Sequence, residues 1–224
     1  MHPQNTPKVE LRTSEDGSTT LYRPDLDEHY HSIHGAIQES MHVFIRAGLL
    51  SHQATALNIL EVGFGTGLNA LLTILHQAKK KVFYHTIERY PLEATIVQSI
   101  NYPEILDVPT STEYFKQLHE APWNKDCEIT PAFTIHKEAS DLALFTPQKL
   151  YNLVYFDAFG PDKQPELWTP EIFKKISESM CEGGVLVTYS CKGTVKRALS
   201  AAGMKIEKIP GPPGKREMLR ATKI

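Results

Sequence analysis

The chain has 224 residues, 41% hydrophobic and 22% charged, with a formal net charge of -2. That length and balance suit one α/β domain with a sizeable core, and the near-neutral total speaks against a generally basic nucleic-acid binder. No apolar run approaches the roughly 18 residues of a spanning helix, and the opening MHPQNTPK has no apolar secretory segment. Cys127, Cys181 and Cys191 lack C-x-x-C spacing, so the expectation is a cytoplasmic protein with reduced thiols.

In chain order, residues 1–50 read as a polar, turn-rich arm followed by a helix at about 34–47, where Ile37, Met41, Phe44 and Ile45 recur at helical spacing. This arm and helix are expected to pack on a core formed by residues 51–224. ALNILEV (56–62) reads as a buried strand and Thr66–Ala78 as a helix with Leu68, Leu71, Leu72 and Leu75 on one face. KVFYHTIE (81–88) is a strand, and 91–100 a helix with Pro91 in its first turn. Residues 101–130 lack clear periodicity. FTIHKEA (133–139) and LYNLVYFDAF (150–159) are strands. Thr169-Pro170 starts a helix as cap and first residue. GGVLVTYS (183–190) is a strand, and the helix at 193–202 stops at Gly203. MKIEKIP and MLRATKI close the chain as strands around Gly211-Pro212-Pro213-Gly214. Alternating strands and helices predict a doubly wound, mostly parallel sheet with an antiparallel strand near the C-terminus. Ligands in such sheets sit beyond the carboxyl ends of the strands.

The loop after the first core strand, EVGFGTGLN, narrows the ligand. A phosphate loop needs Gly-Lys-Ser/Thr at its end, and no lysine follows. The dinucleotide fingerprint G-x-G-x-x-G needs its third glycine where Leu68 stands. The spacing here is Glu61, Gly63, Gly65, Gly67, which resembles the first motif of class I methyltransferases, a Rossmann-like fold. Glycines let the backbone approach the sugar and methionine parts of S-adenosylmethionine. Glu61 suits its ammonium, directly or through water, and the helix start suits its carboxylate. Glu88, 21 residues after Gly67 at a strand end, is placed to accept both ribose hydroxyls. Glu138, with Asp141 as the fallback, is the candidate for the adenine amino group; the plain alternative for Glu138 is a surface acid. Asp157 leaves the next strand where a methyl acceptor would lie, and a carboxylate there can orient an amine and take its proton. His29, His31, His34 and His42 match no standard zinc spacing, so no metal is expected. Ser190-Cys191 follows a strand without an identifiable partner base.

FGTGLN (64–69), IERYPL (87–92), DAFGPDKQPELWTPEIF (157–173), GGVLVTYSCKGTVKRALSAAG (183–203) and GPPGKREML (211–219) occur in this order. Together with DLDEHY and ESMHVF (within 25–44), they resemble the methyltransferase half of the MnmC family over nearly the whole chain. The resemblance implies S-adenosylmethionine-dependent N-methylation of the 5-aminomethyl group of 5-aminomethyl-2-thiouridine at the tRNA wobble position. Asp157 would face the acceptor amine. Glu61, Gly63, Gly65, Gly67, Glu88 and Glu138 would line the cofactor site. Many members carry a further FAD oxidase domain; this chain resembles the stand-alone type, with any oxidase or aminomethyl-installing enzyme separate.

Charge asymmetry fits that implication. Lys192 to Ile224 holds nine Lys/Arg against two acids, about +7 after a body of about -9. Lys192, Lys196, Arg197, Lys215 and Arg216 are candidates for anticodon-stem phosphates. Phe159 and Trp168 are candidates for stacking on a splayed-out base, with packing an equal alternative for Trp168. Two rival functions stand beside this one. A polyamine-synthase-like aminopropyltransferase usually has a more acidic glycine loop and an Asp-Ser-x-Asp-Pro-like fourth loop, against Phe64-Gly65-Thr66 and Asp157-Ala158-Phe159 here. A non-catalytic RNA-binding subunit of this fold has no need of the intact glycines, Glu88 and Asp157.

Overall fold

A computed structural model describes residues 7–224. The opening residues 1–6, read above as carrying no secretory segment, lie outside the described residues. In the arm, β1 (Glu10–Thr13), β2 (Thr19–Arg23) and β3 (Glu28–His29) make a separate three-stranded antiparallel sheet. The helix that follows differs from the expected regular one. α1 (Ala36–Ser40) passes into a π-helical stretch, Met41–Arg46, closed by Ala47 N–H on the His42 carbonyl. The wider turn rotates the buried face, so Val43, Phe44 and Ile45 are consecutive core residues while Ile37 and Met41 are only partly buried.

Eight strands form the main sheet: β4 (Ala56–Val62), β5 (Lys81–Glu88), β6 (Asp126–Thr130), β7 (Phe133–Ala139), β8 (Tyr151–Phe156), β9 (Met180–Thr188), β10 (Met204–Pro210) and β11 (Glu217–Lys223), in spatial order β10-β11-β9-β8-β4-β5-β7-β6. β4 pairs in parallel with β5 and β8, β5 with β7, and β8 with β9. Antiparallel pairs occur at both edges, β6 on β7 and β9-β11-β10. The helices are α2 (Leu68–His76), α3 (Ala94–Val97), α4 (Tyr102–Leu106), α5 (Ser111–Glu120), α6 (Pro170–Glu178) and α7 (Gly193–Ala201). Two cores sandwich the sheet. Leu57 and Ile59 of β4 point into one and Leu60 and Val62 into the other, which is why apolar residues stand at both parities of β4, interrupted by Asn58 and Glu61. The chain winds outward from β4 in both directions, so the β4–β8 boundary is the topological switch point where ligands are expected.

Two segments depart from the sequence reading. The helix at 91–100 shrinks to one short turn, α3, with no buried residue, and Tyr90 just before it lines a cleft. Residues 101–130 fold into α4, α5 and the edge strand β6. Among the residues of α5 only Ser111, Phe115 and Leu118 are buried. The backbone of β6 pairs on one side alone, with an irregular register between Glu128 and Thr130. A half-exposed edge leaves little periodicity to read.

The caps behave as expected at α6, where the Thr169 hydroxyl accepts from Ile172 N–H and Pro170 opens the helix, and at α7, where Gly203 takes φ +76°. Among the described residues no helix is long and apolar enough to cross a membrane.

Candidate active site

The glycine turn joins β4 to α2 at the switch point. Gly63, Gly65 and Gly67 have φ of +92°, +50° and +74°, values that L side chains rarely adopt. At Gly63 space is limiting as well: a Cβ would lie 2.9 Å from the Asp157 carbonyl oxygen, and at Gly67 one would lie 2.8 Å from the His119 ring. The turn therefore packs directly on the β8 loop, bringing Asp157 beside it. The start of α2 has no side-chain cap, so no side chain occupies its first-turn amides, and its Leu68 and Asn69 line the cleft.

Glu88, at the end of β5, accepts hydrogen bonds from Gly65 N–H (3.0 Å) and Tyr90 N–H (2.8 Å). Burial raises its pKa, and these two amides oppose the rise. Their effect is to fix a carboxylate facing the cleft. The remaining wall comes from Ile87, Tyr90, Ser140, Asp141 and Leu142, and, from the N-terminal sheet side, Arg23, Tyr30 and His31. Arg23 is held by Asp25 and lies over the Tyr90 and Phe159 rings at 6.0 and 5.5 Å.

Asp157 stands where this cleft meets a second one. With Ala158, Phe159, Tyr30 and His31 it forms the wall common to both. The second cleft has Glu28, Glu39 and Asp157 among its acids and Lys163, Lys192, Lys215 and Arg216 among its bases. Burial pushes the Asp157 carboxyl up to about 7; Asn69 Nδ2, donating to Oδ2 at 2.8 Å, opposes this, Glu39 adds to it, and Lys215 opposes it. Lys215 Nζ is 2.6 Å from Glu39 Oε1 and 4.1 Å from the Tyr189 ring centroid. The loop after Asp157 is pinned from below: Tyr189 Oη donates to the Ala158 carbonyl and Trp168 Nε1 to the Phe159 carbonyl, both at 2.8 Å.

Asn69→Ala removes the donor that favours the Asp157 anion. Losing a hydrogen bond to a charged group should move the pH at which Asp157 ionises up by about one pH unit. A pH profile of turnover for the variant checks this.

Several predicted residues lie elsewhere than expected. Glu138 does not reach the cofactor cleft; its side chain accepts from or pairs with His85 Nε2 at 3.1 Å on the outer strands, and Asp141, the fallback, lines the cleft instead. β7 ends before the loop bends inward, which is why the acid three residues later arrives. Glu61 is fully buried behind the glycine turn, pointing with Ile59 to the α2 side of the sheet. Neither of its oxygens has a hydrogen-bond partner among the described residues, although Thr86, Tyr84 and Asn69 surround it. Trp168 is a packing residue under the loop, stacked edge-on against Phe156, and does not face either cleft. Arg197 is exposed on α7, away from both clefts, whereas Phe159, Lys192, Lys215 and Arg216 line the second. The four N-terminal histidines disperse: His31 lines both clefts, His34 pairs with Glu15, His42 bonds the Pro210 carbonyl, and His29 packs on Tyr22. Asn69, Arg23, Tyr30, Glu39 and Tyr189 were not singled out from the sequence. Only Asn69 carried a usable signal, two residues beyond Gly67 in the first turn of α2.

Burial pushes Glu61 up to about 8, with Thr86 the leading opposing contact. A carboxyl raised on folding contributes stability that is full below its unfolded pKa, near 4.5, and is lost as pH rises through about 8. Glu61→Gln is therefore expected to melt higher than the parent at pH 8–9 without ligand, and at nearly the same temperature near pH 5. Thermal melts across pH check it.

A Rossmann-like sheet with a three-glycine turn, an acid fixed at the end of β5 and an acid at the end of β8 defines a class I methyltransferase. In agreement, a profile of S-adenosyl-L-methionine-dependent methyltransferases matches residues 111–224, half of the chain, and the chain belongs to that family. It is 31% identical over 232 residues to the tRNA 5-methylaminomethyl-2-thiouridine biosynthesis bifunctional protein MnmC of Burkholderia pseudomallei (strain K96243), covering 92% of this chain and 34% of that protein. The Burkholderia mallei (strain SAVP1) protein of the same description is 30% identical over the same shares. The chain thus spans about a third of the length of these curated relatives. Among solved structures, MNMC2 from Aquifex aeolicus is 26% identical with a TM-score of 0.78, covering 97% of this chain and 70% of that one. Spermidine synthase from Thermotoga maritima, at 12% identity and a TM-score of 0.51 over 96% of this chain and 72% of that one, shares the fold.

The cleft fits the family's cofactor. Its backbone-lined turn leaves room for close approach, Glu88 presents a carboxylate fixed by two backbone amides, and Leu142 and Ile87 offer an apolar wall.

Proposed function

We propose that this chain transfers a methyl group to the primary amine of a tRNA wobble uridine, converting 5-aminomethyl-2-thiouridine to 5-methylaminomethyl-2-thiouridine. The observation that carries this reading is the place of Asp157, in the wall shared by the cofactor cleft and a second cleft with acids and basic residues on its sides. S-adenosylmethionine supplies an electrophilic methyl on a sulfonium. Glu88 holds the ribose, the backbone of Gly63, Gly65 and Gly67 cradles the middle of the molecule, and the first-turn amides of α2 receive its carboxylate. Asp141 takes the adenine side in place of Glu138. Glu61, fully buried behind the turn, supports the loop from outside the cleft.

The second cleft suits an amine on an anionic carrier. Asp157 attracts the ammonium, and Lys192 and Arg216, on the same cleft, suit phosphates. Phe159, exposed to both clefts, is the surface against which the uridine stacks. A free alkylamine has a pKa of roughly 10, so the nucleophile must give up a proton. Asp157, already hydrogen-bonded to Asn69, aims the nitrogen and accepts that proton. The name of the Burkholderia relatives, tRNA 5-methylaminomethyl-2-thiouridine biosynthesis protein, supports the choice of nucleic acid. A tRNA substrate places the work in the cytoplasm, with the aminomethyl group installed or uncovered by a separate preceding enzyme.

The test is incubation with S-adenosylmethionine and tRNA carrying the aminomethyl uridine, followed by mass analysis of the nucleosides. One added methyl on that nucleoside is expected. An unchanged nucleoside overturns the proposal.

A further inference from the structure

Away from both clefts, on the outer strands of the sheet, His85 of β5 and His136 of β7 lie directly opposite in register, and Glu138 is two residues further on the same face of β7. The ligand atoms of these three side chains all lie within 4.8 Å of one another. Both histidines are buried. Each is already held through one ring nitrogen: His85 Nδ1 is 2.6 Å from Tyr151 Oη, and His136 Nδ1 is 2.6 Å from Asp126 Oδ1 of β6. That leaves Nε2 of both rings for a common partner, and His85 Nε2 already meets Glu138 Oε2 at 3.1 Å. A hydroxyl or carboxylate fixing the far nitrogen of each histidine is the outer arrangement that orients metal-bound imidazoles.

From this geometry we propose that His85, His136 and Glu138 bind a divalent first-row cation of the zinc type. Two imidazoles and one carboxylate are a recognised three-ligand set, with water in the fourth position. Bonds of about 2.0–2.2 Å place tetrahedral ligand atoms about 3.4 Å apart, so small rotamer shifts close the set. The fourth position faces the edge, where Glu138 and Asp126 reach solvent. The ion has a structural task. It clamps β5 to β7 just before Ser140 and Asp141, which form part of the cofactor cleft. No linear motif announces it, because the ligands come from two strands and their supports from two more.

The test uses the full chain, freed of any affinity tag and of metal, titrated with Co2+ and with Zn2+ in competition against a chromophoric chelator. One equivalent is expected, with a cobalt spectrum of nitrogen and oxygen ligands, and a higher melting temperature with zinc. His136→Ala and Glu138→Gln should each weaken binding at least about tenfold, Asp126→Asn by about 10–100-fold, and His34→Ala should leave it unchanged. If His136→Ala misfolds by circular dichroism, Glu138→Gln decides alone. Absence of stoichiometric binding, thiolate bands in the cobalt spectrum, or full affinity in Glu138→Gln overturns the site.

Discussion

Asp157→Ala is expected to lose about 10²- to 10⁴-fold in turnover while binding S-adenosylmethionine with nearly unchanged affinity. The separation follows from position. Asp157 stands in the wall between the two clefts, while the turn and Glu88, proposed to hold the cofactor, are built from β4 and β5. Its pKa matters as much as its place. Burial lifts it to about 7, so the base form becomes the major one only above that pH. Turnover of the parent should therefore rise as pH climbs through about 7, where an ordinary carboxylate would give a flat profile. The lift also brings the acceptor within roughly three pH units of an alkylamine, against about six for an unshifted aspartate. Asp157→Asn keeps the shape and loses the base, so it should fall nearly as far as alanine and lose the rising limb. A variant that turns over at the parental rate, or a parental profile with no limb between pH 6 and 8, removes Asp157 from proton transfer.

The regular part of the fold was legible because its signals are local. β4 is mostly apolar on both faces, α6 begins at Thr169-Pro170, and α7 ends at Gly203. The placement of Glu88 and Asp157 beside the cleft was legible because each is tied to a strand end. It was not legible where the outcome depends on packing. A single wide turn in Met41–Arg46 changes which residues face inward. Glu138 turns to His85 because β7 runs beside β5 with that register, a pairing the sequence does not display. Trp168 is claimed by the Phe159 carbonyl beneath the loop. The N-terminal arm, expected only to pack on the core, brings Arg23, Tyr30 and His31 into the cleft wall. Their contribution comes from chain segments distant in sequence, so no spacing rule reveals it.

The second large effect is expected at Glu88, and it should be the mirror image of the first. Glu88→Ala and Glu88→Gln should weaken S-adenosylmethionine binding by roughly 100-fold or more, since two hydrogen bonds to a carboxylate are each worth about 1.5–3 kcal/mol. Turnover at saturating cofactor should change little. The glutamine variant is the informative one. In the parent, both carboxylate oxygens accept backbone N–H groups, from Gly65 and from Tyr90. An amide nitrogen put in place of either oxygen would point a donor at a donor. Glutamine therefore loses a ribose acceptor and also disturbs the Gly65 amide in the turn, and near-isosteric size does not rescue it. Aspartate keeps the charge but is one methylene short, so it must give up either the backbone amides or the ribose; an intermediate loss is expected. Calorimetric titration of the three variants with S-adenosylmethionine, set beside their saturated turnover rates, decides the matter. Parental affinity in Glu88→Gln would exclude Glu88 from the ribose, and a large loss of saturated turnover would mean that the turn and Asp157 are coupled more tightly than their separate strands imply.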